Sequence, residues 1–219
     1  MFPLPNELIA ALTASEQSVL MRRARLIELK CGDILTSPDS ESPMIYFITS
    51  GSVVLFVPFK PGYVSKGLAV GLIGREGAVG LQSALGLGVG SFILTVQSAG
   101  YAYVMEAHYL QNLIKRYPGW LMLFSRYLWT TYQGIAKLAA MSHSQDIKLR
   151  LMHWLLLSAK RCEPDQLYMT HDHIAKMLGV RRASITLAAK ELKDEGLMDY
   201  SRGRIRLLDI AALHKRTLT

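Results

Sequence analysis

Between Cys31 and Ala107 the chain cannot run far without turning. Glycine or proline recurs at Gly32, Pro38, Pro43, Gly51, Pro58, Pro61, Gly62, Gly67, Gly71, Gly74, Gly77 and Gly80. Glycine weakens a helix interior and proline breaks it, so no long helix fits this stretch. Short apolar, β-rich runs lie between the breakers: Ile45 to Ile48, Val53 to Val57, Leu68 to Val70 and later Phe92 to Gln97. Many short strands with regularly spaced turns read as a sandwich or roll. Residues 6–30 read as helical, with Leu8, Leu12, Val19 and Leu26 among polar residues and a basic cluster of Arg22, Arg23 and Arg25. From about Ala107 the pattern is helical until near the C-terminus. The expected fold class is α+β, with an N-terminal antiparallel, jelly-roll-like β-roll followed by helices.

One run inside the strand region carries no charge from Gly77 to Met105, long enough on length alone to cross a bilayer. Six glycines interrupt it, together with Gln82, Ser83, Ser91, Gln97 and Ser98, and its second half reads as a strand, so no membrane span is expected. Half of the 219 residues are hydrophobic and 19% are charged, which excludes a solvated disordered chain. Cys31 and Cys162 are too few for a disulfide framework or a four-thiolate metal site, and the first six residues show no secretion signal. A cytoplasmic setting is expected.

Pro118 can open a helix at its first turn. Beyond it Leu121, Leu128 and Ile135 recur every seven residues, with Phe124, Thr131 and Leu138 interleaved. The pattern fits a helix packed on its own domain and equally a parallel coiled-coil seam between two copies.

The segment from Thr170 to Thr186 fits a helix-turn-helix. Thr170 can cap the first helix, Ile174, Ala175 and Leu178 form its inner face, and Gly179 supplies the tight turn. The second helix, about Arg181 to Glu195, places Ile185, Ala188, Ala189 and Leu192 on one side. Its opposite side offers Ala183, Leu187 and Lys190, with Arg182, Ser184 and Thr186 at the entering end. A hairpin follows, turning at Ser201, Arg202, Gly203 and Arg204, and reads as a wing. From Gln145 to the end there are 14 Lys/Arg against 9 Asp/Glu, a net +5 out of the chain's +8. That concentration of positive charge is the footprint expected of a phosphate-binding surface.

With these motifs in order, the chain resembles the Crp/Fnr superfamily of bacterial transcription regulators over almost its full length. Tyr46 to Val53 looks like the family's strand–glycine–strand signature, and Gly74 to Gly80 resembles the turn leading into its ligand cassette. The stretch from Asp146 to Leu157 looks like the start of its DNA-binding domain. The resemblance implies an effector-type β-roll domain over 1–117, a dimerisation helix and hinge over 118–144, and a winged helix-turn-helix over 145–219. It implies a homodimer joined by the central helix through Leu121, Phe124, Leu128, Thr131, Ile135 and Leu138. The partners are then double-stranded DNA with a palindromic operator and a second copy of the chain, with RNA polymerase open as a third and no membrane. Arg182 becomes the base-reading arginine, with Thr186 and Lys190 beside it at the bases. Thr170, His171, Arg181, Ser184, Arg202 and Arg204 become phosphate contacts. Ala183 stands where many members have glutamate, and Leu187 where another base-contacting arginine often sits, so the operator of well-known members is not expected here.

The effector pocket implied by the resemblance involves Val79, Gly80, Leu81, Gln82, Ser91, Phe92 and Ile135. Cyclic-nucleotide binders use a glutamate and an arginine there, but this chain has Leu81 and Ser91 or Phe92. No lysine or arginine occurs between Glu76 and Ile114, and a buried phosphate without a cation is poorly compensated. Cyclic AMP is therefore not expected. Two cysteines cannot hold an iron–sulfur cluster. No cofactor is expected, with haem (at His108 or His143), a thiol switch at Cys31 or a small apolar ligand left open. A cyclic-nucleotide-, haem- or redox-sensing regulator of the same fold, or a ligand-binding or scaffold protein that does not bind DNA, are the alternatives. A cupin-type enzyme needs histidines within its strands, and none precedes His108; nucleophile-elbow, P-loop and dinucleotide patterns are also missing, so no enzyme is expected.

Overall fold

The computed structural model describes residues 6–36, 43–58, 67–88, 92–144, 146–161 and 167–217. Helices α1 (Glu7–Ala10) and α2 (Ala14–Met21) open the chain, followed by strands β1 (Arg25–Leu29), β2 (Ile34–Thr36), β3 (Met44–Pro58), β4 (Gly67–Ile73) and β5 (Ala78–Val79). Then come α3 (Leu81–Ala84), β6 (Ile93–Glu106), α4 (Ala107–Arg116), α5 (Gly119–Ser144) and α6 (Ile147–Ala159). The last elements are β7 (Leu167–Tyr168), α7 (His171–Leu178), α8 (Arg182–Asp194), β8 (Met198–Ser201), β9 (Arg204–Leu207) and α9 (Ile210–Thr217). Residues 1–55 with 73–135 form one compact unit, and 56–72 with 136–219 form a second.

The expected helix over 6–30 stops at Met21, and Arg25–Leu29 is a strand instead. Thr13 accepts from the Glu16 N–H while its own N–H donates to the Glu16 carboxylate at 2.9 Å, a capping box that starts α2 afresh. Beyond Met21 the chain pairs with β6, from Arg25 opposite Val104 to Leu29 opposite Gly100, and that ladder outcompetes further helix. The larger sheet runs β1–β6–β3–β4, with β2 on β6 and β5 on β3; the pairings of β1, β2 and β5 are antiparallel.

Asn6 ties this unit together. Fully buried, it caps α1 by accepting from the Leu8 and Ile9 N–H groups and donates to the carbonyls of Ile48 at 2.7 Å and Gly77 at 2.8 Å. The core beneath contains Phe47, Leu81, Leu110, Trp120 and Phe124. Glu16 then accepts from the Trp120 indole N–H at 2.8 Å, and Tyr127 donates to the Ala78 carbonyl at 3.0 Å, so the first half of α5 is bound to the sheet domain at both ends.

That anchoring decides which face of α5 is free. Phe124, placed in the seam by the resemblance, is fully buried in its own unit, and Leu128 packs against the same core. Thr131 donates to the Tyr127 carbonyl of its own helix, Ile135 is half-buried, and Leu138 lines a small cavity of the C-terminal unit beside Leu68 and Trp154. The exposed positions at three- and four-residue spacing are Met122, Ser125, Trp129, Tyr132, Ala136 and Ala139. Of the original series Leu121 is 48% exposed while Phe124 is drawn inward, and a second exposed stripe lies one residue further along.

Candidate nucleic-acid interface

In the C-terminal unit, Asp146 caps α6 by accepting from the Leu149 N–H at 2.7 Å. α6 packs against α8 and α9, and α7 against α8. Arg150 donates to the Leu178 carbonyl at the end of α7 and helps hold that turn against α6. Thr170 caps α7, accepting from the His173 N–H at 3.1 Å. Gly179 ends it in the left-handed conformation at φ +65°, which a side chain would strain, and the Leu68 side chain leaves no easy room for a Cβ there. α8 begins at Arg182, one residue later than expected, because Arg181 takes the extended conformation of an N-cap.

Ile185, Ala188, Ala189 and Leu192 are buried as expected, which turns the other side of α8 outward. Arg181, Arg182, Ala183, Thr186, Leu187 and Lys190 are exposed, and Ser184 is half-buried. Two acids near the end of α8 are paired away from this side: Lys148 pairs with Glu191 at 3.2 Å and with Glu195, which Arg216 also reaches. Lys148 and Arg216 together hold the Glu195 carboxyl below its usual range. Lys193 bonds Asp199 at 2.6 Å and fastens the end of α8 to β8. Negative charge is thereby neutralised away from the outward arginines.

The wing lies beside this face. β7, β9 and β8 form a small antiparallel sheet in that order, with Ser201 opposite Arg204 across a two-residue turn. Both turn residues have positive φ, Arg202 at +47° and Gly203 at +81°, as a type I′ turn requires. The Gly203 carbonyl accepts from the Met169 N–H at 2.8 Å, which sets the wing tip against the start of α7 and leaves Arg202 and Arg204 exposed.

Two assigned residues make contacts within the protein. His171 is engaged by the wing and by α8. Its ring stacks on Tyr200 at 4.1 Å, its Nδ1 lies 3.1 Å from the Thr186 hydroxyl, and its Nε2 is buried without a hydrogen-bond partner among the described residues. Thr186 spends its single hydroxyl proton on the Arg182 carbonyl at 3.1 Å, so its oxygen can only accept from His171. In that arrangement His171 donates from Nδ1, and Thr186 has a methyl group rather than a free donor to offer a base. Burial, with help from Arg182, pushes His171 below the usual histidine range. The link has no local signature, because it depends on the wing folding back over α7.

In the larger unit the effector candidates offer little space. Val79 and Leu81 are buried, and a Cβ at Gly80 would collide with the Met44 carbonyl oxygen. Gln82 and Phe92 are half-buried, while Ser91 lies outside the described residues. His108 is an exposed residue 3.1 Å from Glu106, with its ring against Tyr109; the His143 side chain and Cys162 also lie outside the described residues. Among the described residues no group of three or more metal-ligating side chains occurs, and no helix is long and apolar enough to cross a membrane.

Residues 149–216 match the family model of the Crp-like helix-turn-helix domain. No curated protein matches the chain. Among solved structures, a protein of Eubacterium rectale assigned to the Crp/Fnr family of transcriptional regulators matches with TM-score 0.72 at 18% identity, covering 100% of this chain and 99% of that one. The c-di-GMP-responsive global regulator CLP of Xanthomonas campestris matches with TM-score 0.72 at 17% identity over 90% and 99% of the two chains. A Crp/Fnr-family transcriptional regulator of Thermus thermophilus matches with TM-score 0.67 at 20% identity over 89% and 99%. Residues 149–216 of this chain are thus a Crp-like helix-turn-helix domain, and the chain as a whole shares the fold of Crp/Fnr-family structures.

Proposed function

We propose that the chain acts as a homodimer on a palindromic DNA operator, with residues 145–219 reading the DNA, 118–144 joining the copies and 1–117 in the place of an effector domain. The observation that carries the DNA reading is the outward face of α8, acid-free from Arg182 to Lys190, with the wing arginines beside it. Arg182 is the base reader, paired with a guanine. Thr170, Arg181, Ser184, Arg202 and Arg204 hold phosphates, and Lys190 lies further along the groove. His171 serves instead to hold the wing to α8.

The second copy is favoured by the stripe on α5. Met122, Trp129 and Tyr132 are 59–60% exposed, Trp129 and Tyr132 stack on each other at 5.5 Å, and they recur at the spacing of a two-helix seam. Cyclic AMP is not the effector. The Xanthomonas regulator responds to c-di-GMP, but here the run from Gly77 to Met105 holds no cation for either ligand's phosphates. With Val79 and Leu81 buried and Tyr127 bonded to Ala78, a small apolar ligand or none fits best.

A gel shift of the full chain against DNA upstream of its own and neighbouring genes, at several salt concentrations, tests this reading. A specific complex containing two chains is expected. Binding indifferent to sequence, or by single chains, refutes it.

A further inference from the structure

At the middle of the outward face of α8, where a groove-reading helix presents groups to base edges, the exposed side chains are apolar. Leu187 is 61% exposed, and Ala183 one turn earlier is exposed as well. They stand between Arg182 at one end and Lys190 at the other. Thr186 adds its methyl, since its hydroxyl is held by Arg182 and His171. The structure thus pairs cations at the ends, suited to guanine and phosphate, with an apolar centre that has no donor to offer. In the major groove one base presents a matching apolar group, the 5-methyl of thymine. Ala183 and Leu187 are separated by about 6 Å along the helix, the reach of one to two base-pair steps.

We infer that Leu187, supported by Ala183 and the Thr186 methyl, reads the 5-methyl group of a thymine in the same half-site as the guanine held by Arg182. The inference rests on the DNA-binding reading above and adds a base and an atom to it. Leu187 is a specificity-determining residue, and its exposure makes its truncation harmless to the core.

Selection of duplexes from a randomised pool by the full chain gives the operator, and replacing each thymine by deoxyuridine removes only the methyl. One methyl is worth about 0.8 kcal/mol, so affinity should fall about fourfold for one half-site and about fifteenfold for both. Leu187→Ala should bind the thymine and deoxyuridine duplexes equally, while Lys190→Ala keeps the difference between them. A pool that returns no preferred sequence refutes the DNA reading and this inference together. A selected operator indifferent to deoxyuridine, or one whose preference survives in Leu187→Ala, overturns the thymine assignment alone. A Leu187→Ala protein that binds normally but loses transcriptional output would mark the leucine as a protein contact and overturn it too.

Discussion

Arg202 sits at φ +47°, a conformation that costs a side-chain-bearing residue about 1–2 kcal/mol, at the first position of a turn that favours asparagine before glycine. An arginine there is a poor choice for folding and a reasonable one for reaching a phosphate. Arg202→Asn should therefore raise the stability of the chain by about 0.5–1 kcal/mol in thermal unfolding. The same change should weaken DNA binding to all sequences alike. A variant that gains stability at no cost in affinity would remove Arg202 from the interface. A second residue-scale effect concerns three histidines of the same unit. Burial lowers the pKa of His153, His171 and His173 below the ordinary 6.5, and nearby cations deepen each shift. The unfolded chain then takes up protons first as the pH falls through 6.5, so stability is fully present above that pH and declines below it. The paired carboxylates of Asp172, Glu195 and Asp199 are lowered from 3.8 or 4.5 and add their own loss only at more acid pH. Melting curves at pH 7.5, 6.5 and 5.5 should show a falling midpoint, less steep in His171→Asn, which keeps a donor toward Thr186 without titrating. A flat profile would contradict the buried, neutral rings.

At the scale of elements, α5 separates two functions by face. Phe124 is fully buried, so Phe124→Ala should cost about 3–5 kcal/mol and unfold the larger unit at lower temperature. Trp129 is 60% exposed, so Trp129→Glu should leave the melting of a single chain unchanged and convert the dimer into monomers in light scattering. Equal effects of the two substitutions would mean that one face does both jobs. One heptad series mixed the two faces, since Leu121 is exposed and Phe124 buried. A heptad series reads the period of a helix but not which of two adjacent apolar stripes its own domain claims, and Phe124 is claimed by Phe47 of the distant β3, together with Trp120 one turn earlier on α5. Where signals are local the reading was close: Thr170 and Gly179 bound α7, and the buried side of α8 is the one its spacing indicates. Where they are not local it failed. β1 looked helical until paired with β6, and Asn6 carried no mark of its contacts with Ile48 and Gly77. α9, which follows the wing and is capped by Asp209, was also missed.

At the scale of the molecule, charge is distributed by task. The last 75 residues hold a net +5, and Glu191, Glu195 and Asp199 among their acids are engaged by Lys148, Arg216 and Lys193. Binding energy drawn from phosphates in this way appears as counterion release, with log affinity falling against log salt by about 0.9 for every phosphate neutralised on duplex DNA. That coefficient turns one substitution into a count of chains. Arg204 is exposed at the wing tip and takes no part in the buried packing of Ile205 and Leu207, which follow it in the strand, so Arg204→Ala should remove a phosphate contact and little else. On a palindromic operator the loss occurs twice, once in each half-site. The slope should then become shallower by about 1.8, against about 0.9 for a single chain on a half-site duplex. Titrations from 50 to 300 mM salt on the full operator and on one half of it measure both numbers. Equal changes on the two duplexes would mean that one copy of the chain does the binding. An unchanged slope on both would take the wing off the phosphates.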